Sequence, residues 1–277
     1  TGNAGVALAL ACCYKKFGTK IFLDECIKRL TIATKKFIEP DFFSGVAGVA
    51  YAGVLISEIL NDKYFLELIE PAIEWILQNI KDNEGITYWE PSGILEKDKK
   101  PFVGVAHGLI GIAFALEKYN EVNPNYNIDT VTLKCLAKSI INLFDNEAKT
   151  IKRYVTGSNE LSNSMHWCHG IIGYLWAVSQ LKNTASISKI SSSFADIVTN
   201  RNGFMNPTIC HGVAGVLETI RLMKNTNFIN IEILNKEEDK YCSVLNSLLQ
   251  NVNDTRIWSS ENPKKFTPDL WVGHLGS

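Results

Sequence analysis

Two kinds of apolar pattern alternate along the chain. One kind is apolar on every side and almost uncharged. Residues 46–57 (VAGVAYAGVLIS), 109–116 (LIGIAFAL) and 171–181 carry no charge at all. A helix with no polar face is buried all round. The other kind is amphipathic, with charges confined to one face, as in 20–37, 63–80 and 235–250. Those segments predict helices with solvent on one side. The alternation predicts an all-α chain in which buried helices alternate with solvent-facing ones. The architecture that closes such a series is a double ring, an α/α toroid. Residues 81–103 and 202–207 break the pattern with glycines and prolines, and 86–89 (ITYW) reads as a short strand.

The uniform stretches share a start signal. Gly2-Asn3-Ala4-Gly5, Gly45-Val46-Ala47-Gly48, Gly108-Leu109-Ile110-Gly111, Gly170-Ile171-Ile172-Gly173 and Gly212-Val213-Ala214-Gly215 each open one, and Gly273-His274-Leu275-Gly276 is a sixth. The leading glycines lie 43, 63, 62, 42 and 61 residues apart. Recurrence of this kind is the mark of a repeat architecture. Two gap lengths point to one unit with extra loop in three gaps. Glycine there permits tight turns and close backbone approach. The helix starts are expected to present free N–H groups and partial positive charge, which favour a thiolate or a developing anion. No linker divides the chain, so 1–277 reads as a single α/α-toroid domain. The first and last repeats are cut short, which predicts a natural chain extending beyond one or both ends.

Composition narrows the function classes. The 28 basic and 29 acidic residues nearly cancel, leaving no electrostatic footprint for nucleic acid. The cluster Lys97-Asp98-Lys99-Lys100 reads as a solvated loop, with contact to an anionic partner as the weaker reading. No apolar run is long enough to span a bilayer. Leu8-Ala9-Leu10-Ala11-Cys12 superficially resembles a lipoprotein cleavage box, but it lacks a basic region before it and reads as a repeat helix. Seven cysteines, an odd count without dense spacing, fit free thiols in a reducing cytoplasm better than a disulfide framework.

Three of the turns carry chemistry. Ala106-His107-Gly108, Cys168-His169-Gly170 and Cys210-His211-Gly212 place a reactive side chain immediately before, or two before, the glycine. Two soft thiolates and an imidazole are what zinc selects. Cys168, Cys210 and His211 are therefore candidate ligands, brought together only by the fold. One buried cysteine alone would read as a small apolar residue, but two at equivalent repeat positions weaken that reading. His107 immediately precedes its glycine, as His169 and His211 do, and reads as a ligand or as an acid/base group. His166 and His169 flank Cys168, and either could close a four-ligand, inert site. Asp41, four residues before Gly45, reads from composition alone as a helix cap or an ion-pair partner. Cys12, Cys13, Cys26, Cys135 and Cys242 read as core residues. So do Trp75, Trp89, Tyr174 and Trp176.

The ordered set Ala-His-Gly at 106–108, Trp-Cys-His-Gly at 167–170 and Cys-His-Gly at 210–212 resembles the lanthionine cyclases, the LanC-like family. Asp41-Phe42-Phe43-Ser44-Gly45-Val46-Ala47-Gly48 resembles that family's Asp-x-x-x-Gly-x-x-Gly segment. The resemblance covers nearly the whole chain. It implies an α/α toroid with zinc at its centre, held here by Cys168, Cys210 and His211, with His107 and Asp41 as acid/base residues. It implies addition of cysteine thiols to dehydrated Ser and Thr of a precursor peptide, giving thioether rings. A dehydratase and a transporter are the candidate partners in a synthetase complex, in the cytoplasm and with membrane association only through those partners. The other branch of the family would join glutathione to dehydrated residues. A zinc-stabilised toroidal binding module is the non-catalytic alternative. Ser164 stands where some members carry arginine, and His169 where some carry tyrosine and others histidine.

Overall fold

The computed structural model describes residues 2–92, 100–126, 128–162, 164–180, 197, 206–226, 229–252, 255–260 and 262. The sixth Gly-x-x-Gly turn at 273–276, most of the lysine cluster at 97–100 and residues 202–205 of the loop before Cys210 lie outside the described residues, as does Leu181. The chain falls into two compact units, Thr1–Asn142 with Tyr154–Asn159, and Leu143–Arg153 with Glu160–Ser277.

The first unit runs α1 (Gly2–Phe17), α2 (Lys20–Ala33), α3 (Val46–Leu60), α4 (Tyr64–Gln78), a hairpin of β1 (Lys81–Asn83) and β2 (Ile86–Tyr88), α5 (Leu109–Val122) and α6 (Thr130–Asn142). The 8–12 segment lies inside α1, as its repeat position requires. α3 is the central element, packing against α1, α4 and α5. It buries Val46, Ala47, Ala50, Ala52, Gly53, Val54, Ile56 and Ser57, well over half of the helix circumference, with Gly48, Tyr51 and Leu55 half-buried on the remaining face. α4 buries the single stripe Phe65, Leu66, Ile69, Ala72, Ile73 and Ile76. The two periodicities in the sequence thus become two burial patterns. The short strand expected at 86–89 is β2, paired antiparallel with β1. Its two-residue turn, Glu84 and Gly85, has positive φ at both positions (54° and 78°), as a type I′ hairpin turn demands.

The second unit holds β3 (Phe144–Asp145), β4 (Thr150–Ile151), α7 (Ile171–Val178), α8 (Val213–Lys224), α9 (Ile231–Ser247) and a hairpin of β5 (Leu249–Val252) and β6 (Thr255–Trp258). α8 packs against α7 and α9. α7 is buried on all sides but one residue, Trp176, whose ring meets Trp167 edge-on. α9 buries only Leu234, Glu237 and Tyr241. Tyr174 stacks on Phe144 with ring centroids 5.7 Å apart.

The four Gly-x-x-Gly helix starts at Gly45, Gly108, Gly170 and Gly212 are each wrapped by the six residues before them, whereas Gly2 and Gly5 have open space around them. A Cβ on Gly45, Gly108, Gly170 or Gly212 would lie 2.2–2.4 Å from the carbonyl oxygen six residues earlier. The same holds for the second glycine at Gly48, Gly111 and Gly215, with 1.9–2.2 Å. Close approach of backbone therefore selects glycine here. That wrapping corrects one expectation. The first N–H groups of these helices are not free, because the loop carbonyls seven residues back accept them. Val46 N–H donates to Glu39 (2.8 Å), Leu109 to Phe102 (3.0 Å), Ile171 to Ser164 (3.2 Å) and Val213 to Asn206 (3.1 Å). The orphan donors of a helix start are satisfied by the chain itself.

Gly111 is the tightest of these positions. A methyl group added there would lie 1.9 Å from the Val105 carbonyl oxygen and 2.6 Å from the Phe42 Cβ. Neither neighbour is the end of a flexible side chain. Overpacking of this kind costs about 1–3 kcal/mol or more. Gly111→Ala is expected to lower the unfolding free energy by roughly that amount, read as a shift in urea midpoint at constant slope. An unchanged midpoint would show that the loop gives way without cost.

The cysteines outside the turns are less buried than their helical positions imply. All seven are free thiols, but only Cys26 of the five is buried; Cys13 and Cys242 are intermediate, and Cys12 and Cys135 are exposed. Cysteine is small enough to sit at the edge of an apolar stripe, so helical periodicity alone does not place it. Burial pushes the Cys26 thiol up to about 11, which makes it an inert packing residue.

Candidate functional site

In the second unit, the loops that enter α7 and α8 carry the metal-type side chains. Trp167 N–H donates to the Cys210 carbonyl at 2.9 Å, tying the two loops together beside their sulfurs. Cys168 and Cys210 are both buried and hydrogen-bonded to each other. Cys210 Sγ lies 3.5 Å from His211 Nε2. Tetrahedral zinc, with Zn–S about 2.3 Å and Zn–N about 2.0–2.1 Å, sets sulfur and nitrogen ligands roughly 3.5 Å apart. Donor atoms of His166, Cys168 and His211 lie within 4.8 Å of one another, and this is a metal-competent group among the described residues. The residue types and spacing fit zinc.

The two thiols are shifted in opposite directions. The hydrogen bond from Cys210 holds the Cys168 thiol below its ordinary range, against the opposing effect of burial. Backbone N–H groups of His169 and Cys168 help. The same hydrogen bond, together with burial, pushes Cys210 far above it. Thiolate stabilisation at Cys168 thus comes from the turn itself and from the partner sulfur, not from the first turn of α7. His166 is exposed as a residue. Even so, partial loss of solvation and the neighbouring His211 ring hold its imidazole below the usual range.

The sequence points to Cys168, Cys210 and His211 as ligands, with His166 and His169 as alternatives for a fourth donor. The structure brings in His166, whose ring centroid is 4.5 Å from that of His211. Neither Cys210 nor His169 is in that group; Cys210 adjoins it through Cys168 and His211. His166 and His169 both flank Cys168, so only the path of the turn separates them. Ser164 caps this turn, its Oγ accepting the His166 N–H at 2.9 Å.

In the first unit, His107 and Asp41 form a pair. His107 Nδ1 lies 3.0 Å from Asp41 Oδ2. Asp41 Oδ1 accepts the Ser44 N–H at 2.6 Å, so the carboxylate both shapes its own turn and orients the imidazole. The loops are joined beside this pair, with Phe42 and Phe43 N–H both donating to the Ala106 carbonyl (3.2 and 2.8 Å). The Asp41 side chain is 6% exposed and that of His107 29%, so it is the imidazole that a substrate could reach. Both line a cavity of about 240 Å³, whose apolar wall includes Trp89, Phe102, Leu109 and Ile112. Glu39, also on this wall, is buried and accepts hydrogen bonds from the Ser92 N–H (3.0 Å) and hydroxyl. Nothing in the sequence distinguishes Glu39 from a solvated loop acid.

The model of the lanthionine synthetase C-like proteins matches residues 1–266, and the chain belongs to that family. Among solved structures, a nisin cyclase is similar over 89% of this chain and 81% of its own, at 17% identity and a TM-score of 0.50. A sugar epimerase from a ruminal bacterium is similar over 92% of this chain and 77% of its own, at 11% identity and a TM-score of 0.63. At such identities the likeness is one of fold, the α/α toroid. Two neighbours with such different names show that the fold alone does not carry the function. No helix among the described residues is long and apolar enough to cross a membrane.

Proposed function

We propose that this chain is a zinc-dependent lanthionine cyclase, adding cysteine thiols of a precursor peptide across the double bonds of its dehydrated Ser and Thr residues. The observation that carries the reading is the joint presence, in a member of this family, of the Cys168–Cys210–His211 donor group and the His107–Asp41 pair. Nisin cyclase, by its name, supports a peptide substrate.

Zinc held by Cys168, Cys210 and His211 would supply thiol activation, since a coordinating thiol is deprotonated outright whereas free cysteine is only a few per cent thiolate at neutral pH. The burial of Cys168 and Cys210 keeps water from those donors. Attack of the substrate sulfur on the β-carbon forms the C–S bond and moves the electron pair of the double bond to an enolate at the α-carbon. His107 then gives a proton to that α-carbon, completing the addition with no other product. Asp41 holds Nδ1 of the ring at 3.0 Å, which fixes the tautomer and aims the ring.

The experiment combines metal analysis with a peptide assay. One zinc per chain is expected. A dehydrated peptide containing cysteine is expected to lose alkylatable thiol without change in mass, since cyclisation is an isomerisation. A mass increase by glutathione, with peptide thiols untouched, would instead support the glutathione-joining branch. A second reading, a zinc-stabilised binding module, draws support from His166, whose donor atom lies within 4.8 Å of those of Cys168 and His211. Zinc bound with no change in either assay would favour it.

A further inference from the structure

The donor group holds one side chain more than thiol activation requires. A zinc site closed by four protein ligands is structural, whereas a catalytic one keeps a position for substrate. We infer that His166 is the fourth, exchangeable donor of this site: it completes a two-sulfur, two-imidazole set at rest and is the ligand that an incoming thiol replaces. The inference rests on the proposal that zinc is held by Cys168, Cys210 and His211.

Three observations carry it. The ligating atoms of His166, Cys168 and His211 all fall within 4.8 Å of one another, and Cys210, outside that group, adjoins it through its hydrogen bond to Cys168 and its 3.5 Å contact with His211. Its backbone is held on both sides, its N–H donating to Ser164 Oγ (2.9 Å) and its carbonyl accepting the Gly170 N–H (3.0 Å). The turn therefore sets its backbone beside His211, and the two rings meet with centroids 4.5 Å apart and a tilt of 57°.

Exposure then ranks the four donors. Cys168 and Cys210 are buried, His211 is intermediate and His166 alone is exposed. A ligand walled in by protein has nowhere to go when it leaves the metal. His166 can swing to solvent about its own side-chain torsions while the other three stay. Exchange is balanced: one nitrogen donor departs as one sulfur donor arrives, and the thiol proton passes to solvent. The arrangement would protect a resting site from stray ligands while leaving it open to a thiol, the ligand class zinc prefers over imidazole-bearing solvent components.

X-ray absorption at the zinc edge of the full chain tests this, with free cysteine as the thiol probe. The resting wild-type protein is expected to show two sulfur and two nitrogen donors, with the multiple-scattering signature of two imidazoles. Excess cysteine should convert this to three sulfurs and one imidazole. His166→Ala, checked for folding by circular dichroism, should retain zinc but show one imidazole and an oxygen donor at rest, with zinc lost to a competing chelator about tenfold more readily. A single imidazole in the wild type, unchanged in His166→Ala, would overturn the inference and leave the three-ligand proposal standing. Two imidazoles retained in saturating cysteine would overturn the exchange and make His166 a permanent closure. A wild-type protein that holds no zinc would overturn the underlying proposal, and this one with it.

Discussion

Joint replacement of Cys168 and Cys210 by alanine is expected to remove zinc from the protein and to abolish cyclisation. The two sulfurs supply the charge of the donor group; His211 and His166 are neutral imidazoles when they ligate. Loss of a single outer partner of a metal ligand already costs roughly 10–100-fold in affinity. Loss of two anionic ligands should therefore leave less than about a tenth of the sites filled at zinc concentrations that saturate the wild type. The effect should also appear in stability. A ligand that binds only the native state at a thousandfold excess over its Kd adds about 4 kcal/mol. Added zinc should thus raise the melting temperature of the metal-stripped wild type and leave that of the double variant where it was. Both cysteines are buried and replaced by a smaller apolar side chain, so the variant is expected to fold. Near-stoichiometric zinc in the double variant would show that the metal sits elsewhere.

Replacement of His107 by alanine is expected to slow cyclisation by about 10²–10⁴-fold, the usual contribution of a general acid–base group. Zinc content should stay at the wild-type level, because His107 is paired with Asp41. Loss of zinc would make His107 a ligand and sink the acid role. Asp41 needs a subtler variant, because its carboxylate has two partners. Asp41→Asn keeps an oxygen for the Ser44 N–H, which sits 2.6 Å from Oδ1, and removes the charge that Oδ2 presents to His107 at 3.0 Å. If the charge matters for proton transfer, Asp41→Asn should slow turnover with little change in melting temperature. If the variant melts early but turns over normally, turn-shaping is the whole role of Asp41. Product formation followed by loss of alkylatable thiol reads both variants.

The burial pattern was legible in the chain because it is a property of single helices. A stretch such as 46–57, without a charged residue, can only be stable where no face meets water. A stripe such as Phe65, Ile69, Ala72, Ile73 and Ile76 can only have one face covered. The turn glycines were legible as a repeat, but their cause was not. The sequence suggested glycine for tight turns and free helix N–H groups. The structure instead shows a loop folded back so closely that its carbonyls occupy the Cβ positions and take up those N–H groups. That is a backbone path, and no side chain records it.

For the candidate site, the chain alone determined the residue types: two cysteines, a histidine after the second, and an Asp and a His at matching turns of other repeats. Repetition supplied the argument that Cys168 and Cys210 meet, since equivalent positions in a repeat occupy equivalent places in space. Only the tertiary structure decided between His166 and His169, because both are one or two residues from Cys168 and the choice depends on the dihedral path of a short turn. Only it decided that Asp41 reaches His107 across 66 positions of chain, and that Cys12, Cys13, Cys135 and Cys242 lie away from the core. Periodicity and composition report how much water a segment tolerates. Which atom faces which is settled by three-dimensional packing, where differences of an ångström decide whether a side chain is a ligand or a neighbour.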